Sequence, residues 1–219
     1  MSSEREHVEK IQDLFDIWAE NGRAEGMEQG HTPMARPAFE RLRLQSGQRY
    51  LDIGCGNGYS VRWAAENPQV DALGIDVSDA MVARARRLSE HLPNTRYIRS
   101  TFPLRILKAE TFDAIFSMEV FYYLQNLPRA LKSTFELLKP GGYFACIVDF
   151  YEENTASHGW SEDIGINLNL LSKEDWRKAM EGAGFNLVEQ TQLKAPPAPG
   201  TPTDWRQTEG SLLTLCQRP

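Results

Sequence analysis

Residues 50–58, Tyr-Leu-Asp-Ile-Gly-Cys-Gly-Asn-Gly, constrain this chain more than any other stretch. Tyr50, Leu51 and Ile53 form a short apolar run that reads as a buried strand. Gly54, Gly56 and Gly58 follow, and neither a regular strand nor a regular helix favours them. Glycine reaches backbone angles that other residues avoid, and it lets another molecule come close to the main chain. A strand that breaks into such a loop and opens a helix at Tyr59 is expected to leave backbone N–H groups pointing outward. Asp52 stands at the strand's mouth. Its carboxylate suits a ligand with a positive or hydroxyl-rich end and repels a pyrophosphate.

The spacing separates two kinds of cofactor. A dinucleotide fingerprint runs G-x-G-x-x-G, its third glycine packing helix on strand. Here the third glycine comes one residue early, and Tyr59 stands in its place. A second strand is expected from Val70 to Asp76, which places Asp76 about 22 residues after Gly54, near the offset at which an acid grips a ribose. A carboxylate accepts from both ribose hydroxyls at once. The pattern D-x-G-x-G-x-G, with Asp76, F-D-A-I-F-S at 112–117 and L-K-P-G-G-Y-F at 138–144, resembles the class I S-adenosylmethionine-dependent methyltransferases over about residues 48–150. The resemblance implies a Rossmann-like, doubly wound α/β fold: a seven-stranded sheet, mostly parallel with an antiparallel last strand. It implies S-adenosyl-L-methionine as cofactor, with Asp52, Gly54, Cys55, Gly56, Asp76, Val77, Thr101, Phe102 and Ser117 around it.

Composition narrows the class. The 219 residues carry 41% hydrophobic and 25% charged side chains, ordinary for a soluble globular domain. A net charge of −6 argues against a nucleic-acid binder, and Arg84, Arg86 and Arg87 read as a solvated helix face. No apolar run is long enough to span a bilayer, and the polar start lacks a signal-peptide core, so a cytoplasmic setting and no membrane partner are expected. Three scattered cysteines, Cys55, Cys146 and Cys216, suggest reduced thiols and no metal site.

Strands are expected near 49–53, 70–76, 95–99, 111–117, 143–149, 185–193 and 211–216, and helices near 59–66, 79–91, 128–138 and 173–182. Leu138 to Gly142 reads as a turn. Before the first strand, residues 3–20 read as an amphipathic helix with a Ser3–Glu6 capping box. Residues 21–34 are glycine-rich and read as irregular, with a second helix near 36–45. An N-terminal helical cap (1–47) would thus precede a methyltransferase domain (48–219), with an insertion at 150–170 over the substrate and a stiff proline-rich connection at 195–202.

The methyl donor is already activated by its sulfonium, so the expected chemistry is in-line displacement onto an O, N or C atom of a small-molecule acceptor. Orientation does most of this work, and a base is needed only where the acceptor loses a proton. After the fourth strand, Ser117 to Tyr123 lack the Asn/Asp-Pro-Pro-Tyr/Phe signature of enzymes that methylate exocyclic base nitrogens or glutamine amides. Glu119 and Tyr122 are the candidate catalytic residues there. Around Ser100–Phe102 the family's usual adenine-binding acid is missing. Trp18, Met27, His31, Tyr151 and His158 are candidates for substrate contact, whereas His7 and His91 read as solvated. Rival readings are an NAD-dependent oxidoreductase and a non-catalytic module of the same fold. The sequence leaves a homodimer open.

Overall fold

The computed structural model describes residues 2–104, 106–197, 200 and 202–219. Two helices come first, α1 (Ser2–Glu20) and α2 (Arg23–Glu40). Alternation then follows: β1 (Arg49–Ile53), α3 (Tyr59–Ala65), β2 (Asp71–Asp76), α4 (Asp79–Leu88), β3 (Thr95–Arg99), β4 (Phe112–Met118), α5 (Leu127–Leu137) and β5 (Leu138–Val148). The C-terminal part adds α6 (Trp160–Ile164), α7 (Lys173–Gly182), β6 (Asn186–Leu193), α8 (Trp205–Thr208) and β7 (Ser211–Gln217). Seven strands form one sheet in the order β3-β2-β1-β4-β5-β7-β6. β1 pairs in parallel with β2 and β4, and β4 with β5, while β7 runs antiparallel between β5 and β6. Strand order reverses at β1, so the carboxyl ends of β1, β2 and β4 flank one crevice.

Side chains alternate across the sheet. Leu51, Ile53, Ile75, Ile115 and Phe144 face one layer, packed with Phe121, Leu131 and Trp176. Tyr50, Ala72, Phe116, Ala145 and Leu213 face the other, against Phe39, Val61 and Val82. Burial on both faces explains why the strands read as nearly continuous apolar runs.

Four expectations are corrected. Residues 23–34 are helical. Gly22, at φ 81°, ends α1 and starts α2, which then buries Ala24, Met34, Ala35, Ala38 and Phe39. Burial of that face outweighs the cost of Gly26 and Gly30, about 1 kcal/mol each. The helix also ends at Glu40 rather than running on to 45. Residues 138–142 belong to β5: Gly141, at φ 80°, lets the strand bulge between the pairs Phe112–Leu138 and Ala114–Tyr143. His7 is buried, its Nε2 2.8 Å from the Tyr123 carbonyl. The expected Ser3 capping side chain lies outside the described residues, as do Ala198, Pro199 and Thr201 of the proline-rich connection.

The early third glycine has a local cause. Gly58 sits at φ 81°, and a Cβ there would lie 2.7 Å from the Tyr97 ring, whose hydroxyl is 2.7 Å from Ser89 Oγ. Gly58→Ala is expected to cost about 1–3 kcal/mol of stability through backbone strain and overpacking. Urea unfolding measures it, and an unchanged midpoint would contradict this role.

Candidate cofactor and acceptor site

A cavity of about 710 Å3 opens at the carboxyl ends of the central strands. Its floor holds Gly54, Cys55, Gly56, Asp76 and Val77, and Ser100, Thr101 and Phe102 flank it beyond β3. Glu119, Val120 and Tyr122 follow β4. The roof comes from Phe15 and Trp18 of α1 with Met27 and His31 of α2. Trp160, Asp149 and Arg206 also line it.

The glycine turn is more committed than the sequence implied. Gly54 and Cys55 N–H both donate to the Ile75 carbonyl at 2.8 and 3.0 Å, and Gly58 N–H donates to Cys55 O. Gly56 N–H donates to Asp76 Oδ2 at 2.8 Å. The expected row of free, outward N–H groups is therefore largely spent on holding the loop. The other Asp76 oxygen accepts from Ser78 N–H at 2.9 Å. A carboxylate oxygen has two lone pairs, so each still has one to offer the cavity. Burial raises the Asp76 pKa, and the Ser78 and Gly56 N–H groups oppose the rise.

Asp52 does not line the cavity. It is buried, bonded to the Ser60 hydroxyl, with Oδ1 lacking a partner among the described residues. Burial pushes its carboxyl up to about 7; the Ser60 bond works against this and the Asp76 charge adds to it. Ser117 also turns away, donating to the Ile53 carbonyl at 2.8 Å. Tyr151 donates to Gly210 O at 3.0 Å and accepts from Gln192, so it braces β6 and β7, and it is not among the residues lining the cavity. His158 is exposed against the Glu152 carbonyl. The Cys55 thiol is pushed well up by burial, then by the charges of Asp76 and Asp52, which leaves it unreactive.

Glu119 sits at φ 63°, a left-handed conformation that aims its side chain back into the site. Its Oε2 accepts from Tyr122 O–H at 2.7 Å, and its Oε1 accepts from Asp149 N–H. Burial, then the neighbouring Asp149 charge, push it well above the usual carboxylate range. Burial likewise raises Asp149 to about 6. His31 is held neutral, its pKa lowered to about 4 by burial and then by Arg206.

The sequence reading missed Glu28, Asn57, Asp149, Trp160 and Arg206. Glu28 of α2 accepts from Asn57 Nδ2 at 2.7 Å and from Arg62 Nη2 at 3.1 Å, fastening the roof to the glycine turn. Nothing in the local sequence marks it, because the contact spans distant positions. Asp149 had a signal, since it follows the last residue of β5 on the ligand-bearing edge.

The donor set suits a cationic nucleoside. Asp76, Glu119 and Asp149 line the cavity, and Asp52 lies just beneath. Such a rim attracts a sulfonium and an ammonium and opposes a pyrophosphate. No cluster of three or more metal-ligating side chains occurs among the described residues.

Because Asp52 holds a proton in the folded state up to about 7 and in the unfolded chain only to 3.8, it stabilises the fold at low pH, and that stability is lost as pH rises toward 7. Asp52→Asn should flatten the fall in Tm of the ligand-free protein between about pH 4 and about pH 7. Equal slopes in calorimetric scans of the two proteins would contradict the shift.

Known proteins share this fold. A family model described as a methyltransferase domain matches residues 23–190. A chain from the complex between the Haloferax volcanii Trm112 methyltransferase activator and a methyltransferase superposes with a TM-score of 0.86 at 33% identity, over 94% of this chain and 97% of that one. An S-adenosylmethionine-dependent methyltransferase from Aquifex aeolicus has the same fold, with a TM-score of 0.70 at 16% identity over 90% of this chain and 98% of that one. A sterol 24-C-methyltransferase of Schizosaccharomyces pombe is 25% identical over 188 residues, 81% of this chain and 49% of that protein. Cycloartenol-C-24-methyltransferase 1 of Oryza sativa subsp. japonica is 26% identical over 176 residues, covering 75% and 50%. The chain spans about half the length of the curated relatives it matches. With the family model covering most of its length, and the sheet order and glycine turn in agreement, this chain belongs to the class I S-adenosylmethionine-dependent methyltransferase family.

Proposed function

We propose that the protein transfers a methyl group from S-adenosylmethionine to an O, N or C atom of a small-molecule acceptor. One observation carries this reading: the glycine turn, Asp76 and Glu119 converge on a single cavity whose remaining walls are largely apolar. When bound, the cofactor supplies an electrophilic methyl group. Asp76 would hold its ribose, the Gly54–Gly56 turn its amino-acid end, and Thr101 and Phe102 its adenine. Phe15, Trp18, Met27 and His31 would keep water out and orient the acceptor, with residues 1–47 and 150–170 enclosing it. Glu119, held by Tyr122, would receive a proton where the acceptor loses one.

An NAD-dependent oxidoreductase is disfavoured because the turn's N–H groups are mostly spent and its mouth is acidic. A non-catalytic module would bind the cofactor without turnover. No described helix is long and apolar enough to cross a membrane, and a cytoplasmic setting agrees with this reading. The relative solved with the Trm112 activator favours a second element, a small activator protein as partner of this chain. Co-expression with a Trm112-type protein should give a co-eluting pair on size exclusion; separate peaks, or a homodimer alone, would remove that element.

Calorimetry with S-adenosylhomocysteine tests the main reading. Binding should be clear for the wild type and weakened at least tenfold (about 1.4 kcal/mol) by Asp76→Ala. Unchanged affinity would overturn the ribose assignment. Screening metabolites for turnover to S-adenosylhomocysteine separates the enzyme from the silent module.

A further inference from the structure

Helix α2 is built in two unlike halves. Past Pro33 it buries Met34, Ala35, Ala38 and Phe39, and the Phe39 ring packs edge-on against Tyr50 of β1 with centroids 5.6 Å apart. Among the described residues 23–33, only Ala24 is buried. This first half lines the cavity with Met27, Glu28, Gly30 and His31. Ion pairs hold it down: Glu25 meets Arg84 of α4, and Glu28 meets Arg62 of α3. Between the halves the helix is weakened three times within four residues. Pro33 has no N–H to give the Gln29 carbonyl. Thr32 Oγ1 donates to the Glu28 carbonyl at 2.6 Å, a back-bond that bends helices. Gly30 adds backbone freedom.

The Glu28 tie reaches the cofactor turn itself. Asn57 belongs to that turn and donates its Nδ2 to Glu28 Oε2 at 2.7 Å. Arg62 donates Nη2 to Glu28 Oε1 at 3.1 Å and Nη1 to the Asn57 carbonyl at 2.6 Å. Glu28, Asn57 and Arg62 thus close a ring of contacts across α2, the turn and α3. Each bond in the ring involves a charged group, which makes it stronger than a neutral one. The Arg62 and Glu28 side chains are 18% and 30% exposed, so salt screens the pair only in part.

We infer that Glu28 is a positioning residue: it latches residues 23–31 onto the glycine turn, and its release lets this strap lift so that the cofactor can exchange. The latch rests on the methyltransferase reading, which seats the cofactor on that turn beneath the strap. Both ends of the strap can absorb the motion, Gly22 at φ 81° on one side and Gly30–Pro33 on the other. Helix α1 stays in place, anchored by Ile11 in the core and by Asp16, which accepts from Ser78 O–H and Ala80 N–H.

The test loads the full chain with radiolabelled S-adenosylhomocysteine and chases it with unlabelled ligand. Glu28→Ala should speed release at least about tenfold. Glu28→Gln still accepts from Asn57 but offers Arg62 no charge, so its release should fall between wild type and Glu28→Ala. Hydrogen exchange of the loaded proteins locates the motion. In both variants amides of residues 24–31 should exchange faster, while those of 34–39 keep the wild-type rate, which also certifies the fold. Release at the wild-type rate in both variants overturns the latch. So does faster release in which 34–39 loosen as much as 24–31, since that is general destabilisation. A wild type that binds no S-adenosylhomocysteine defeats instead the methyltransferase reading on which the latch rests.

Discussion

One carboxylate ties the site together. Asp76, at the end of β2, accepts from Gly56 N–H with one oxygen and from Ser78 N–H with the other. Ser78 in turn caps α4 through Met81 N–H and donates its hydroxyl to Asp16 of α1. Two side chains, Asp76 and Ser78, thus link the glycine turn, the start of α4 and α1. The clamp adds to the bonds from Gly54 and Cys55 N–H to Ile75 O and from Gly58 N–H to Cys55 O in holding a turn whose Gly54, Gly56 and Gly58 all sit at positive φ. Charge-assisted bonds to a buried carboxylate are among the stronger ones available for that job.

The same clamp sets the electrostatics. Asp52, Asp76, Glu119 and Asp149 all lose water on folding, and burial leads the causes that raise each pKa. Folding therefore gathers four carboxyl groups at one edge of the sheet, where burial favours their protonated forms. The basic groups around it are Arg206 and Arg23, which line the cavity, and Arg62, which Glu28 engages. A cation placed there recovers part of the desolvation cost, and an anion adds to it.

The sheet was largely legible from the sequence because its signals are local. Apolar runs such as Leu51–Ile53 and Ala114–Phe116 lie within single elements, and Gly-rich punctuation marks where they end. The cavity's lining was legible where it follows strand ends, as with Asp76 and Glu119. It was illegible where distant segments meet. Glu28 reaches Asn57 and Arg62 across the fold, and Arg206 enters from a four-residue helix near the C-terminus. Residues 23–34 misled because Gly26, Gly30 and Pro33 speak against a helix locally, while burial of Met34 and Phe39 decides the outcome. Ser117, Tyr151 and His158 are absent from the cavity's lining for the opposite reason, since a residue type suited to ligands is bonded to the protein's own backbone.

The central claim is that the clamped turn and its acidic rim form a seat for a sulfonium nucleoside. A crystal structure grown with S-adenosylhomocysteine tests it most directly. The account predicts density for the nucleoside between the Gly54–Gly56 turn and Phe102, with both ribose hydroxyls on Asp76. An empty rim, or a ligand lodged elsewhere with Asp76 bonded only to Gly56 and Ser78, would contradict it.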